Sequence, residues 1–301
     1  MNDIKRTHEA SSLRAFFDEQ IDHLHSLVSN LSSHIHEEMQ QAEEDKQIVE
    51  TFVEASNTKM RAVQGYADKL RVYVKTLYNH VLHIADEIPP PVDLNQDAFG
   101  TDTLVNALFV NSQDIDKLFN TDPDVNSFLH AHSKDQVPIV YAVLTASKIE
   151  KSTLGIKLQG DMLMRDVPQQ AVNFSLHKIH TPCASSTELN TTLKEYLFTR
   201  VVALLKQEMA AHMPSPSFSA DNSYETRVKS LNNPDVYMDT LIKYIENPVN
   251  LLSIDKTHFK LSKLGIKLDD DDSQSANEFD IYELIWRNNI RKVVLQITHI
   301  R

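Results

Sequence analysis

From Met1 to Ile88 the chain contains no proline and a single glycine, Gly65. Proline removes a backbone donor and glycine loses the most entropy on ordering, so a stretch of this length without them is written for nearly uninterrupted helix. It stops at Pro89-Pro90-Pro91. Within it, Leu13, Phe17, Ile21, Leu24, Val28, Leu31 and Ile35 recur at three-and-four spacing, the seam of a coiled coil. Ser56-Asn57-Thr58, all cap formers, precede a second stripe of Met60, Val63, Ala67, Leu70, Val74, Leu77, Val81 and Ile84. The pattern predicts a helical hairpin of unequal arms, roughly 65 Å and roughly 45 Å at 1.5 Å per residue. An overhanging apolar seam needs cover, so Phe17, Ile21, Leu24, Val28, Leu31 and Ile35 are expected to oligomerise the chain, as a dimer.

Behind the prolines the period changes. Leu104–Phe109 and Ser112–Phe119 read as short helices, and Asp122-Pro123 is an N-cap with proline at N1 opening another. Ile139–Ile149, Thr153–Leu158, Met162–Asp166 and Ala171–Ile179 alternate as strands, with Gln159-Gly160-Asp161 as a hairpin turn. Thr187–Met213 returns to helical spacing behind Ser185-Ser186, and residues 214–234 are rich in Ser, Asn and Pro. Asp235–Glu246 reads as helix, then Thr257–Leu268, Phe279–Trp286 and Lys292–Ile300 as strands. The expected fold class is α+β: a helical arm (1–91), an α+β domain with an antiparallel sheet and flanking helices (100–213), a linker (214–234) and a C-terminal α+β segment packing on the body (235–301).

Leu144–Leu158 aligns without gaps on Ile254–Leu268, and the two share Leu-Gly-Ile-Lys-Leu. If these are duplicated β-units they pair or stack, each glycine marking a bulge or a close backbone approach.

Composition removes several function classes. A formal charge of −12 opposes general nucleic-acid binding, which draws on clustered Lys and Arg. Five glycines, with Asp161 following Gly160 where a phosphate loop has lysine, supply no phosphate-cradling motif, and no cofactor is predicted. One cysteine, Cys183, permits neither an internal disulfide nor a multi-thiolate zinc site. No run is apolar enough for a membrane span, and the first residues lack the apolar core of a secretory signal, so a cytoplasmic location without membrane partners is expected.

Three places carry candidate chemistry. His80, His83 and Glu87 share a helix face and could present two nitrogens and a carboxylate to a divalent ion. Asp269–Asp272 lacks the glycine and glutamate an EF-hand loop needs, and reads as a solvated loop. Arg165, Asp166, Ser175 and His177 lie in the densest cluster of reactive side chains; Ser175 and His177 would alternate onto one strand face, with Arg165 and Asp166 on the neighbouring strand. No Gly-x-Ser-x-Gly or His-Glu-x-x-His accompanies them.

Met60–Leu94, with Leu108-Phe109, Leu158-Gln159-Gly160-Asp161, Arg165-Asp166-Val167 and Leu264–Leu268, resembles a family of bacterial proteins of similar length that has no established activity. The resemblance implies a bacterial cytosolic protein and carries over no site residue. The expectation is therefore a non-enzymatic assembly or adaptor protein that self-associates through its N-terminal helices and binds a protein partner through its α+β body. The alternative is a small-ligand-binding or hydrolytic domain centred on residues 161–180.

Overall fold

The computed structural model describes residues 41–133, 136–159, 162–211, 233–269 and 276–300. The first forty residues, with the oligomerisation seam Phe17–Ile35, lie outside the described residues, as do Gly160-Asp161 and nearly all of the Ser/Asn/Pro-rich segment. The chain is mixed α+β, with a curled antiparallel sheet and flanking helices. Its contacts divide it into two units that do not follow chain order: Met1–Ala85 with Thr191–Leu252, and Asp86–Asn190 with Ser253–Arg301. Among the described residues no helix is long and apolar enough to cross a membrane.

The described part of the first unit is helical. α1 (Gln41–Ser56) ends where Ser56 Oγ donates to Phe52 O at 2.7 Å, and Asn57 caps a short 3₁₀ turn, Thr58–Ala62, by accepting from Lys59 N. The interruption expected at Ser56-Asn57-Thr58 is thus a cap between two helices. α2 (Tyr66–Glu87) buries Leu70, Val74, Leu77, Val81 and Ile84, the stripe read from the sequence. Val49, Phe52 and Val53 of α1 are also buried.

Of the later helices, α7 (Ser186–Ala211) from Thr191 onward, α8 (Pro234–Ile245) and a 3₁₀ turn, Pro248–Asn250, belong to this unit. α7 buries Leu193, Leu197, Val201 and Leu205, but also Tyr196, Phe198 and Val202, so most of its circumference is covered, as an evenly apolar helix requires. Tyr78 meets the Phe198 ring edge-on at 5.3 Å.

The second unit holds the sheet. β1 (Val92–Asp93) leads into four short helices, α3 (Gln96–Thr101), α4 (Thr103–Leu108), α5 (Gln113–Thr121) and α6 (Pro123–Ala131). Their caps are written locally: Asn95 Oδ1 accepts from Ala98 N, and Asp102 Oδ1 accepts from Leu104 N and Val105 N. Asp122 Oδ1 accepts from Asp124 N and Val125 N with Pro123 at N1, while its Oδ2 takes Ile179 N from the sheet at 3.4 Å.

Two very long strands, β2 (Ile139–Gln159) and β3 (Met162–Cys183), form a hairpin. β4 (Leu252–Leu261), β5 (Asn277–Trp286) and β6 (Arg291–Ile300) complete the order β3-β2-β6-β5-β4, with β1 parallel to the far end of β6. Val293, Leu295 and Ile297 of β6 join Ala142, Leu144 and Ala146 of β2, Phe259, Phe279 and Ile281, and the apolar faces of the short helices in one core.

Three register shifts shape the hairpin. Between Tyr141 and Val143, Thr145 and Ser147, and Gly155 and Lys157, β3 spends three residues where β2 spends two. At each lies a non-glycine residue with positive φ: Thr181 (49°), Leu176 (52°) and Asp166 (57°). These are β-bulges, which add twist and bend a sheet round. The curl then closes. Beyond β4 the chain turns at Ser262–Gly265, held by Gly265 N→Ser262 O (2.9 Å) and Ser262 N→Ile266 O (2.8 Å). It returns beside β3 through Lys267 N→Gln170 O and Val172 N→Gly265 O, both 2.8 Å.

Candidate functional site

β2 keeps β6 as a partner only as far as Ala146, which pairs with Val293. Further out, β2 and β3 continue as a ribbon up to Gln159↔Met162, and past the closing seam at Gln170–Val172 they pair only with each other among the described strands. A two-stranded ribbon has no second layer to cover it. Leu154, Ile156, Met162, Leu163, Met164 and, on the adjoining turn, Leu264 are accordingly 44–87% exposed. Single exposed apolar residues are ordinary, whereas several on one element are a feature to be accounted for.

Where the ribbon rises past the Ser262–Gly265 turn it forms an open groove of about 950 Å³ of mixed lining, apolar at Leu154, Ile156, Leu264 and Ile266 and polar or charged at Ser152, Gln169, Gln170, Ser262, Lys267 and Asp269. Both Leu-Gly-Ile-Lys-Leu segments meet here. The first pairs with one edge of β3 and the second with the opposite edge, at Ala171↔Ile266. Their glycines serve different ends. Gly265 has φ +75° and a Cβ there would stand 2.9 Å from Val172 O, whereas Gly155 leaves room for the end of the Gln169 side chain beside the outermost bulge.

The inward face of β2 carries charge beyond its apolar part. Lys148 Nζ lies 2.6 Å from Glu283 Oε2 and 3.1 Å from Glu150 Oε1, and 5.2 Å from the centre of the Phe259 ring; Lys267 Nζ stands 5.7 Å from the same ring. Glu283 is only 1% exposed. Burial lowers the Lys148 pKa, but hydrogen bonds to Glu283 and Glu150 outweigh it and hold the ammonium above its ordinary range. Sequence reading missed this triad, whose members are far apart in the chain and carry no motif. The one available signal was charge on the core-facing phase of otherwise alternating strands, Lys148 after Ala146 and Glu283 after Ile281.

The candidates named from the sequence are placed as follows. Arg165 and Asp166 sit exposed at the outermost bulge. Ser175 and His177 are nine to twelve residues further along the same strand, roughly 30–40 Å at strand rise, so the four are not brought together. Arg165 and Asp166 belong to β3 itself and not to a neighbouring strand. The Leu176 bulge falls between Ser175 and His177 and interrupts the alternation expected to put them on one face. Ser175 stands opposite Ser147, whose hydroxyl accepts from Lys292 Nζ at 2.6 Å. His177 stacks on Phe109 with ring centres 4.5 Å apart, and its Nε2 is buried with no hydrogen-bond partner among the described residues. Burial is the main cause that lowers its pKa.

On α2, His80 Nε2 bonds to Leu252 O at 2.8 Å, and His83 and Glu87 have contacts of their own. Among the described residues no group of three or more His, Cys, Asp or Glu is arranged to hold a metal ion. Cys183 is buried, with Sγ 3.5 Å from Tyr141 O. No family model, curated protein or solved structure matches this chain.

Proposed function

We propose that this protein is a non-enzymatic assembly or adaptor protein that docks a protein partner through the outer β2–β3 ribbon and self-associates through its N-terminal helical seam, Phe17–Ile35. The observation that carries the reading is the run of exposed apolar side chains on the ribbon, Leu154, Ile156, Met162, Leu163 and Met164. Leaving them in water contributes nothing to folding, and burying them against a partner recovers about 25 cal/mol per Å² of apolar surface removed from solvent. The dispersal of Arg165, Asp166, Ser175 and His177 gives the hydrolytic alternative no support, because acid–base and nucleophilic chemistry need hydrogen-bond reach.

The two halves of the reading separate by substitution. Deleting Met1–Ala55 is unsuitable, since it removes the buried Val49, Phe52 and Val53. We predict instead that Leu163→Glu with Met164→Glu changes stability by no more than about 0.5 kcal/mol, as for exposed sites. That variant loses partner capture but keeps its oligomeric state. Leu24→Glu with Val28→Glu does the reverse, lowering the mass measured by light scattering. Ribbon variants that unfold, or that bind as the parent does, refute the docking assignment.

A further inference from the structure

We propose that the protein partner docks by β-strand addition: an extended segment that alternates acidic with apolar residues pairs with the open edge of β2, along Glu150, Ser152 and Leu154. This rests on the adaptor reading and names the partner chemistry that the ribbon fits.

The two edges of the ribbon differ. On β3, Val172 N donates to Gly265 O and Gln170 O accepts from Lys267 N, so residues 170 and 172 turn their backbone groups away from β2 and the chain's own returning segment already occupies them. The next position of that phase is Pro168, which has no N–H to offer, and the Asp166 bulge follows. Proline and bulges are devices that keep an edge from pairing with another chain. The outer part of β2 has neither. In an antiparallel pair, opposite residues either bond to each other or both turn their backbone groups outward. Glu150, Ser152 and Leu154 stand opposite Val172, Gln170 and Pro168, so their N–H and C=O groups face the side that β6 covers only as far as Ala146. No described strand pairs with them there.

The register also sorts the side chains. β2 keeps strict alternation, because the additional residue of each bulge lies in β3. Leu154 and Ile156 therefore share one face, and Lys151 and Lys157, opposite Ala171 and Met164, share the other. From Ser147 to Gln159 no β2 residue of the lysine phase is acidic. At the root of the edge Lys292 Nζ donates to Ser147 Oγ at 2.6 Å and adds a third cation. On the Leu154 face, Glu150 is held by Lys148 at 3.1 Å and Asp269 lines the groove, so acids of an incoming strand are favoured on the Lys151 face alone. A strand laid on β2 continues both faces, setting acids beside the lysines and apolar residues beside Leu154 and Ile156. A second copy of β2 fits less well, since pairing about Leu154 sets Lys151 opposite Lys157. The net charge of −12 repels an acidic segment at long range, but that field is screened over about 8 Å at physiological ionic strength, and in contact the lysines decide.

The test is titration of the full chain with a labelled peptide of about eight residues alternating glutamate and valine, followed by fluorescence anisotropy. It is expected to bind roughly tenfold or more tighter than the same peptide with lysine for glutamate, and Lys151→Glu with Lys157→Glu reverses that preference. On binding, amide exchange slows at Glu150, Ser152 and Leu154 and is unchanged at Met164 and Gln169. Ser152→Pro removes an outward N–H without breaking the β2–β3 ladder, and lowers binding roughly tenfold or more. The glutamate peptide N-methylated at alternate residues keeps its side chains, loses its donors and fails to bind, which reads the same feature without altering the protein. Undiminished binding of the N-methylated peptide, protection along β3 in place of β2, or equal affinity for the two peptides overturns the proposal. So does a fall in the mass of Ser152→Pro by light scattering, which makes a second copy the occupant. Failure of every peptide to bind overturns strand addition and leaves the adaptor reading standing on partner capture and its loss in Leu163→Glu with Met164→Glu.

Discussion

At the scale of single residues, burial of Glu283 and of the His177 ring each has a measurable consequence. Glu283 is covered, and its countercharge is Lys148 at 2.6 Å. Removing one member of such a pair leaves the other buried and uncompensated, which costs more than the pair itself contributes. Glu283→Ala is expected to destabilise the protein by about 3 kcal/mol in urea unfolding, the low end of the usual range because Glu150 remains near Lys148. Glu283→Leu combined with Lys148→Met should recover most of that loss. His177 works in the opposite sense to a paired group. Burial against Phe109 lowers its pKa, so the unfolded chain takes up a proton before the folded one does. Its contribution to stability is complete above about pH 6.5, the ordinary histidine value, and is lost as pH falls from there towards the folded-state pKa. His177→Phe should therefore show a shallower fall in unfolding free energy between about pH 7 and pH 5 than the parent, measured by denaturant titration at each pH. An identical slope would contradict the burial assigned to this ring.

At the scale of elements, the closure of the sheet depends on one glycine far more than on its counterpart in the repeated segment. Gly265→Ala forces a side chain into a left-handed conformation, costing about 1–2 kcal/mol, and presses Cβ towards Val172 O. Amide exchange at Val172 and Lys267, whose N–H groups make the seam, should accelerate in that variant. Gly155→Ala has only the end of the Gln169 side chain to move and should cost less than about 1 kcal/mol. The same elements show what the residues disclose before folding. Helix α6 was legible because Asp122 and Pro123 are local signals acting on the next turn. Strand β6 was legible because Val293, Leu295 and Ile297 keep a strict alternation. The bulges were not, since Asp166, Leu176 and Thr181 adopt positive φ without the glycine that normally announces it. Every face assignment that crosses a bulge inverts, which is why Ser175 and His177 seemed to belong together. The ribbon was equally hidden: four short alternating segments were expected where two strands of about twenty residues run through.

At the scale of the molecule, the grouping of Met1–Ala85 with Thr191–Leu252 joins segments from distant parts of the chain, and nothing local in either one names the other. Hydrophobic periodicity reports which face of α2 is buried but not what buries it. The same physics separates two kinds of apolar side chain. The stripes of α2 and α7 and the sheet interior are covered by the fold itself, whereas the apolar side chains of the outer ribbon are displayed on an element with no second layer. The account holds that this display exists for a partner. Its most direct test is to place a photo-crosslinking phenylalanine derivative at Leu163 and, separately, at Val110, an exposed apolar position away from the ribbon, and to irradiate living cells that make the full chain. The account predicts a discrete protein adduct from position 163 and none from position 110. Equal labelling at the two positions, or no adduct at 163, would contradict it.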